Sequence, residues 1–501
     1  MTLLIRNVRI VGGTKPFHDP VDVFVSGERI SAIGSFPKKI AARVVDGQGA
    51  YLSPGFIDVN TDSDHYLTLF DHPAQEDFLR QGVTTIFGGM CGASLAPLLY
   101  GTLESLEKWG ETDRANVNWH TMAEFLKTVD RHPLAVNFGT LVGHATIRRS
   151  ILAEARRDLT KGELQVFAGI LRRALREGAF GLSTGLSYVH ARDTSYPELK
   201  ALAGVVREAN GVYATHLRNA AEGIGASIDE TIKLSRETGV RTLVSHFTPI
   251  LGSEAGYGKA LDAIEALPRE ADFHFDIYPS PNSLLALYLF LPLWAQNGGV
   301  EVMLANVKDE WLAARIKRDL APIDEEHFVI AQAPGNDFLV GKNLREIKEI
   351  YGLADSRDAL LRLMATMHMR GAVLYRNLSP ELTKRAMKSP RSLIASNAPS
   401  FDAGKGARRL KSERTTSTFT DFLKFAEGEG GMPLEDAVAK ITAAPARKFG
   451  LAGRGTIAVG NYADLTCFRG GEIRATIVNG KVAMENGEFG NLFPGKALRH
   501  G

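Results

Sequence analysis

Cys91, His216 and His246 carry side chains that bind borderline-soft metal ions, and they lie far apart in the chain. One thiolate and two imidazoles suit zinc. Three protein ligands leave a fourth position open, which is the arrangement of a catalytic site rather than a structural one. Their wide separation argues against a zinc finger, whose ligands come in close pairs. Taken singly, a cysteine is more often a small buried hydrophobe, and a histidine a satisfied polar group. Position sets these three apart, because each stands at the end of a short apolar stretch that reads as a strand. Cys91 follows VTTIFGG (83–89), His216 stands in VYATHL (212–217), and His246 in RTLVSHF (241–247). Other polar residues sit at such ends: Asn60 and Asp62 after GFIDVN (55–60), His144 in LAVNFGTLVGHA (134–145), Asp276 and Tyr278 in DFHFDIYPS (272–280), and Asn397 in SLIASNA (392–398). Cys467 lies in an alternating stretch and reads as core.

The elements that must position these residues follow in a regular order. With GAFGLSTGL (178–186), eight candidate strands occur, mostly separated by helical stretches. LTKGELQVFAGILRRALREG (159–178) is one such stretch, with Thr160 and Glu163 spaced as a capping box, and ASIDETIKLSRETG (226–239) is another. Eight successive β/α units predict an α/β fold of the (β/α)8 TIM barrel type, whose active site gathers at the C-terminal ends of the strands. Both chain ends are β-rich instead, with period-two alternation and Gly turns; Asn479-Gly480 is a two-residue hairpin signal. The expected organisation is a small β-sandwich domain from residues 1–53 and 452–501, with the barrel at 54–451 between them. A long gap before the eighth strand, residues 281–391, contains its own helical stretches NLREIKEIYG (343–352) and SRDALLRLMATMHM (356–369), and reads as an insertion over the barrel mouth. Its opening run, SLLALYLFLPLW (283–294), is too short for a membrane span and reads as a buried helix or lid.

The bulk numbers narrow the class. The chain has 501 residues, 44% hydrophobic and 23% charged, ordinary for a globular protein. With 59 basic against 57 acidic residues the net charge is +2, which points to neither nucleic acid nor a membrane surface as partner. Two cysteines make no disulfide scaffold. The N-terminus alternates like a strand and is too charged for a signal peptide. A cytoplasmic protein is expected; oligomeric state is not fixed by the sequence.

The motifs PGFID (54–58), QGVTTIFGGMCGASLAPL (81–98), LVGHATIR (141–148), GAFGLSTGLSYV (178–189), GVYATHLR (211–218), SHF (245–247), DIYP (276–279), APARKFGL (444–451), GTIAVGNYADLTCF (455–468) and IVNGKV (477–482) span nearly the whole chain. Together they resemble the D-aminoacylase branch, the N-acyl-D-amino-acid deacylases, of the amidohydrolase superfamily. MCGASLAP with YATHLR is the specific pair; the closing motifs are general to the superfamily. The resemblance implies a β-sandwich plus (β/α)8 barrel and one tightly held zinc on Cys91, His216 and His246. It also implies hydrolysis of the linear amide of a small-molecule N-acyl-D-amino acid by attack of zinc-bound water.

Three departures accompany it. The family has His-x-His after PGFID for a second, weaker metal position; here Asn60-Thr61-Asp62 stand there, with Asp62 as an oxygen ligand and Asn60 a weaker one. Asp64 and His65 beside them read as a solvated loop, and Asp58 as a ligand-orienting or turn residue. The family's catalytic Asp after strand eight, which takes the proton from water, is matched by Asn397, and an amide cannot do this at neutral pH. The proton acceptor would then be Asp62 or Asp402. The family's Lys near the strand-six histidine is absent from Phe247-Thr248-Pro249. Its later substrate-binding Arg matches Arg408 or Arg409, Tyr278 matches a strand-seven Tyr that contacts substrate, and His144 would line the pocket or cap a loop. Three functions follow: an active zinc hydrolase of a linear amide, an amidohydrolase on a cyclic amide, and a non-catalytic binding protein on this scaffold. No Lys ends strand four, which counts against the two-metal cyclic-amide sites.

Overall fold

Eight parallel strands carry the middle of the chain in a computed structural model that describes residues 2–14, 19–37, 42–100, 103, 117–153, 155–188, 191–401 and 409–501. They are β1 (Phe56–Asp58), β2 (Val83–Gly88), β3 (Asn137–Thr140), β4 (Gly181–Gly185), β5 (Val212–His216), β6 (Arg241–Val244), β7 (Phe273–Ile277) and β8 (Ser392–Ile394). All eight expected strands form, shortened at their ends. Most of their residues are buried, as parallel strands covered on both faces require.

The hydrogen bonding divides them between two sheets. β1, β2 and β3 form one, and β8, β7, β6, β5 and β4 form the other with the short segment Val142–Gly143. The sheets adjoin at both edges. At one, β3 runs on into Val142–Gly143, and Phe180 N donates to Thr140 O at 2.9 Å. At the other, the Asp58 carboxylate accepts from Ser396 N at 3.1 Å, and Asn397 N donates to Asn60 O at 2.8 Å. Parallel register pairs Asp58 with Ile86, Gly88 with Thr140, Gly185 with His216, Thr215 with Val244, and Ile277 with Ile394. Every C-terminal strand end therefore faces the same side, which is where the candidate residues stand.

Helices separate the strands as their caps dictate. Lys161–Arg176 starts at the expected box: Thr160 Oγ accepts from Glu163 N, and the Glu163 carboxylate accepts from Thr160 N at 2.7 Å. Ile224–Thr238 ends at Gly239 in the left-handed region, φ 69°. The chain ends build a nine-stranded sheet from Thr2–Ile10, Val21–Ser26, Arg29–Gly34, Arg43–Asp46 and Tyr51–Pro54 with Leu465–Arg469, Glu472–Val478, Lys481–Glu485 and Glu488–Phe489. It encloses an apolar core of its own that includes Leu52, Leu465, Cys467 and Ile477. Asn479 and Gly480 form its hairpin turn, with φ of 46° and 74°. Asn479 also ties the sheet to β3, its Nδ2 donating to Asn137 Oδ1 at 2.8 Å.

Between β7 and β8 the chain leaves the parallel strands. Asn282–Ala286, Phe328–Gln332 and Ala372–Arg376 make a three-stranded antiparallel sheet, covered by helices Gly299–Lys308, Glu310–Asp319, Leu344–Ile350 and Ser356–Thr366 around a second apolar core. The run 283–294 is not the expected helix. Its first residues pair with Ala372–Arg376, and the rest forms two 3₁₀ turns, Leu287–Phe290 and Leu293–Gln296, separated at Pro292. Leu287 and Leu291 are buried in this second core, and Leu293 is 59% exposed. Helix Pro380–Lys388 then packs against Glu254–Glu265, β7 and β8, and leads into β8. Among the described residues no helix is long and apolar enough to cross a membrane.

Candidate metal centre

Three strand ends bring Cys91, His216 and His246 together. Cys91 Sγ lies 3.8 Å from His216 Nδ1 and 3.4 Å from His246 Nε2, and all three donor atoms are within 4.8 Å of one another. With Zn–S near 2.3 Å and Zn–N near 2.0–2.1 Å, a tetrahedral centre needs S···N edges of about 3.6 Å. The donor set therefore fits one zinc ion by chemistry and by spacing. Burial and the Arg414 guanidinium push the His246 ring down to about 4, so it is neutral and offers a lone pair.

The backbone is bent to make this possible. Cys91 and His246 have φ of 53° and 34°, and Asn397 of 47°. Left-handed conformations in residues other than Gly cost of order 1–3 kcal/mol each and cluster at functional sites. The Cys91 loop also presses on the end of β4, where a Cβ at Gly185 would lie 2.2 Å from Cys91 O. Only glycine permits that approach.

The segment after β1 is not a solvated loop. Asn60, Thr61, Ser63 and His65 are fully buried, with Asp64 1% and Asp62 7% exposed. His65 Nδ1 lies 3.1 Å from Asp62 Oδ1, and Nε2 lies 3.1 Å from Ala93 O. Burial pushes the His65 ring down, but the carboxylates of Asp64 and Asp62 outweigh it and raise the ring to about 9. A protonated ring donates from both nitrogens, as these two contacts require. Asp64 Oδ2 accepts from Gly89 N at 2.6 Å and so holds the turn that leads to Cys91. The polar residue types read as loop, but they satisfy one another in the interior.

Asp62 keeps 10% of its side chain exposed, and its second oxygen accepts no hydrogen bond from the described residues. Asn60 directs Nδ2 at the Asp276 carboxylate, at 3.2 and 3.4 Å, while its buried Oδ1 has no hydrogen-bond partner. Asp276 also accepts from His246 N at 2.7 Å; burial raises its pKa to about 7. Burial likewise raises Asp58, to about 8, and its carboxylate binds the backbone of Ser396 and Asn60. Asp58 thus orients the strand ends rather than a ligand side chain.

Asn397 is half-buried at the end of β8, and its carbonyl accepts from the Arg414 guanidinium. Arg414 also donates to Ser396 O at 3.1 Å and lies over the Tyr278 ring at 4.3 Å. Tyr278, 2% exposed, therefore contacts the cation that holds the β8 end. Arg409 lies over Phe401 at 4.6 Å and forms a β-bridge to Gln332 of the antiparallel sheet. His144 neither caps a loop nor joins the metal cluster. It opens helix His144–Leu152 with Nε2 2.8 Å from the Glu198 carboxylate, which Arg148 also binds, and its ring packs near Phe167. Asp402 and Arg408 lie outside the described residues.

Sequence reading missed Arg414, His65 and the pair Ser187–Tyr188. Ser187 Oγ lies 2.7 Å from His216 Nε2, and the Tyr188 ring packs on His216 with centroids 4.9 Å apart. Burial, with Cys91 and the Tyr288 phenol nearby, holds the Tyr188 phenol well above its ordinary range. Tyr288 belongs to the excursion between β7 and β8. Ser187 and Tyr188 lie directly after β4, inside the motif GAFGLSTGLSYV (178–189), but nothing in their residue types marked them as neighbours of His216.

Known proteins resemble this chain in sequence and in fold. Residues 402–483 match the amidohydrolase family. A D-aminoacylase from Alcaligenes xylosoxydans xylosoxydans is 28% identical over 474 residues, covering 93% of this chain and 87% of that protein. An N-acyl-D-aspartate deacylase from the same organism is 28% identical over 502 residues, covering 96% and 91%. The crystal structure of N-acyl-D-glutamate deacylase from Bordetella bronchiseptica, complexed with zinc and a phosphonate that mimics the reaction's tetrahedral intermediate, matches with a TM-score of 0.80. That match has 26% identity and covers 99% of both chains. By sequence and by fold alike, the chain is similar to the D-aminoacylases and their deacylase relatives.

Proposed function

We propose that the chain is a zinc-dependent hydrolase of a linear amide C–N bond, acting on an N-acyl-D-amino acid or a similar small acylated compound. The observation that carries this is the convergence of Cys91 Sγ, His216 Nδ1 and His246 Nε2 within 4.8 Å at three strand ends. We read the two parallel sheets as arcs of one (β/α)8 barrel, residues 54–451, joined through Asp58 and Ser396. The nine-stranded sheet is the folded-over β-sandwich of residues 1–53 and 452–501, and the excursion inside 281–391 stands over the barrel mouth. Neither Cys91 nor Cys467 forms a disulfide, which fits a reducing cytoplasm.

Zinc on this triad supplies Lewis acidity and a lowered pKa for water. The chain's own groups do the rest. Asp62 stands beside the site with one oxygen held by His65 and the other bound by no donor among the described residues, so it takes the proton from water and later returns it to the leaving amine. Asn397 cannot do so and instead closes the β8 end. Asn60 Oδ1 and Asp62 are the oxygens for any second, weaker metal position. Substrate contacts are assigned to Tyr278, which packs against Arg414, and to Arg409, which lies over Phe401, while His144 braces the scaffold through Glu198. A second reading, a binding protein that keeps the metal without turnover, is favoured by Asn397 alone.

The test is turnover of a panel of N-acyl-D-amino acids by zinc-loaded and chelator-stripped protein. Amine release that needs zinc and disappears in Cys91→Ala supports the hydrolase. A protein that binds zinc yet releases no amine from any member supports the binding protein.

A further inference from the structure

The two ring nitrogens of His216 face different partners. Nδ1 lies 3.8 Å from Cys91 Sγ, and Nε2 lies 2.7 Å from Ser187 Oγ. A nitrogen that ligates a metal gives up its proton, so the proton of a neutral ring must then sit on Nε2. The serine oxygen is placed to accept it. We propose that Ser187 is a positioning residue of the metal centre, accepting Nε2–H of His216 and fixing the tautomer and ring angle that present Nδ1 to zinc. The proposal rests on reading Cys91, His216 and His246 as the metal ligands.

The turn that carries Ser187 is anchored for this role. Gly185 pairs with His216 across β4 and β5, and Leu186 N donates to His216 O at 3.0 Å. Two residues past that pair, Ser187 arrives beside the imidazole. Tyr188 N donates to Gly185 O at 3.1 Å, and Arg192 Nη2 donates to Ser187 O at 3.2 Å. The Tyr188 ring then closes one flank of His216 at an interplanar angle of 44°. The imidazole is thus held by a strand pair, a hydroxyl and an aromatic ring before any ion binds. His246 lacks a comparable side-chain acceptor among the described residues: its backbone N, rather than its ring, is bound by Asp276. Among the described residues Ser187 thus supplies a side-chain hydroxyl to a ligand ring, and it is not a ligand itself.

The experiment is zinc affinity measured by competition with a chromophoric chelator, on the full chain and on Ser187→Ala and Ser187→Thr. Cobalt(II) spectra and thermal unfolding of the metal-free proteins accompany it. Loss of such an outer hydrogen bond typically costs 10–100-fold in metal affinity. Ser187→Ala should weaken zinc by about that factor, change the cobalt d–d bands and leave metal-free unfolding unchanged, with Ser187→Thr close to the parent. Ser187→Ala that binds zinc as tightly as the parent with an identical cobalt spectrum overturns the proposal while the metal centre stands. Parent protein that binds neither zinc nor cobalt overturns the metal centre and the role of Ser187 with it. Should Ser187→Ala fail to fold, equal affinity in Ser187→Thr and in Ser187→Cys, whose larger sulfur alters the contact, would also overturn it.

Discussion

Asn397 stands where a proton acceptor would be useful, and its amide has no lone pair basic enough to serve. Among the described residues Asp62 is the carboxylate near the site that retains some exposure, whereas Asp58, Asp64 and Asp276 are buried and bound to backbone N–H groups. Asp62→Asn should therefore lower kcat by on the order of 10²–10⁴ while zinc content holds. Steady-state kinetics beside elemental analysis checks both halves; unchanged kcat would move the proton path elsewhere. His65→Asn tests the support: a loss of kcat with little change in KM is expected, because the imidazolium holds Asp62 and touches no substrate. The cluster of Cys91, His216 and His246 was legible in the sequence because Cys and His at strand ends are uncommon and chemically specific. His65 was not. A run of Asn, Thr, Asp and Ser reads as loop unless its mutual hydrogen bonds are seen, and those depend on burial that only the fold supplies. Ser187 carried no signal of type at all, since a serine beside a strand is ordinary.

At the scale of elements, the strand ends deliver the three proposed ligands, so a change in their approach should weaken metal binding. Gly185→Ala places a Cβ 2.2 Å from Cys91 O. The Cys91 turn must shift, at a cost of about 1–3 kcal/mol, and zinc affinity should fall with it; urea unfolding and chelator competition measure the two. Thr160→Ala is the contrast. It removes the cap of Lys161–Arg176 and should cost about 1 kcal/mol without altering zinc binding. The strands and this helix were legible because buried apolar runs and a capping box are local signals. Residues 283–294 were not, since an apolar run has no periodicity to separate strand from helix; pairing with Ala372–Arg376, some ninety residues away, decided it.

For the whole molecule, the proposed ligands come from the ends of β2, β5 and β6, so an ion held there would join segments far apart in sequence and should stabilise the native state by mass action. Zinc at about 1,000 times its dissociation constant should add about 4 kcal/mol to unfolding, read from urea melts with and without chelator. Equal melts in both conditions would mean that no ion links these strands. The overall class was legible from the succession of β/α units, but the way the hydrogen bonds divide between two parallel sheets was not, because it depends on side groups such as Asp58 bridging β1 to β8. The most direct measurement is X-ray absorption at the zinc edge of the loaded protein. A first shell with one sulfur near 2.3 Å and two imidazole nitrogens near 2.0–2.1 Å is predicted, the sulfur vanishing in Cys91→Ser. A shell of oxygen and nitrogen alone in the parent protein would contradict the account, because Cys91 would then not hold the metal.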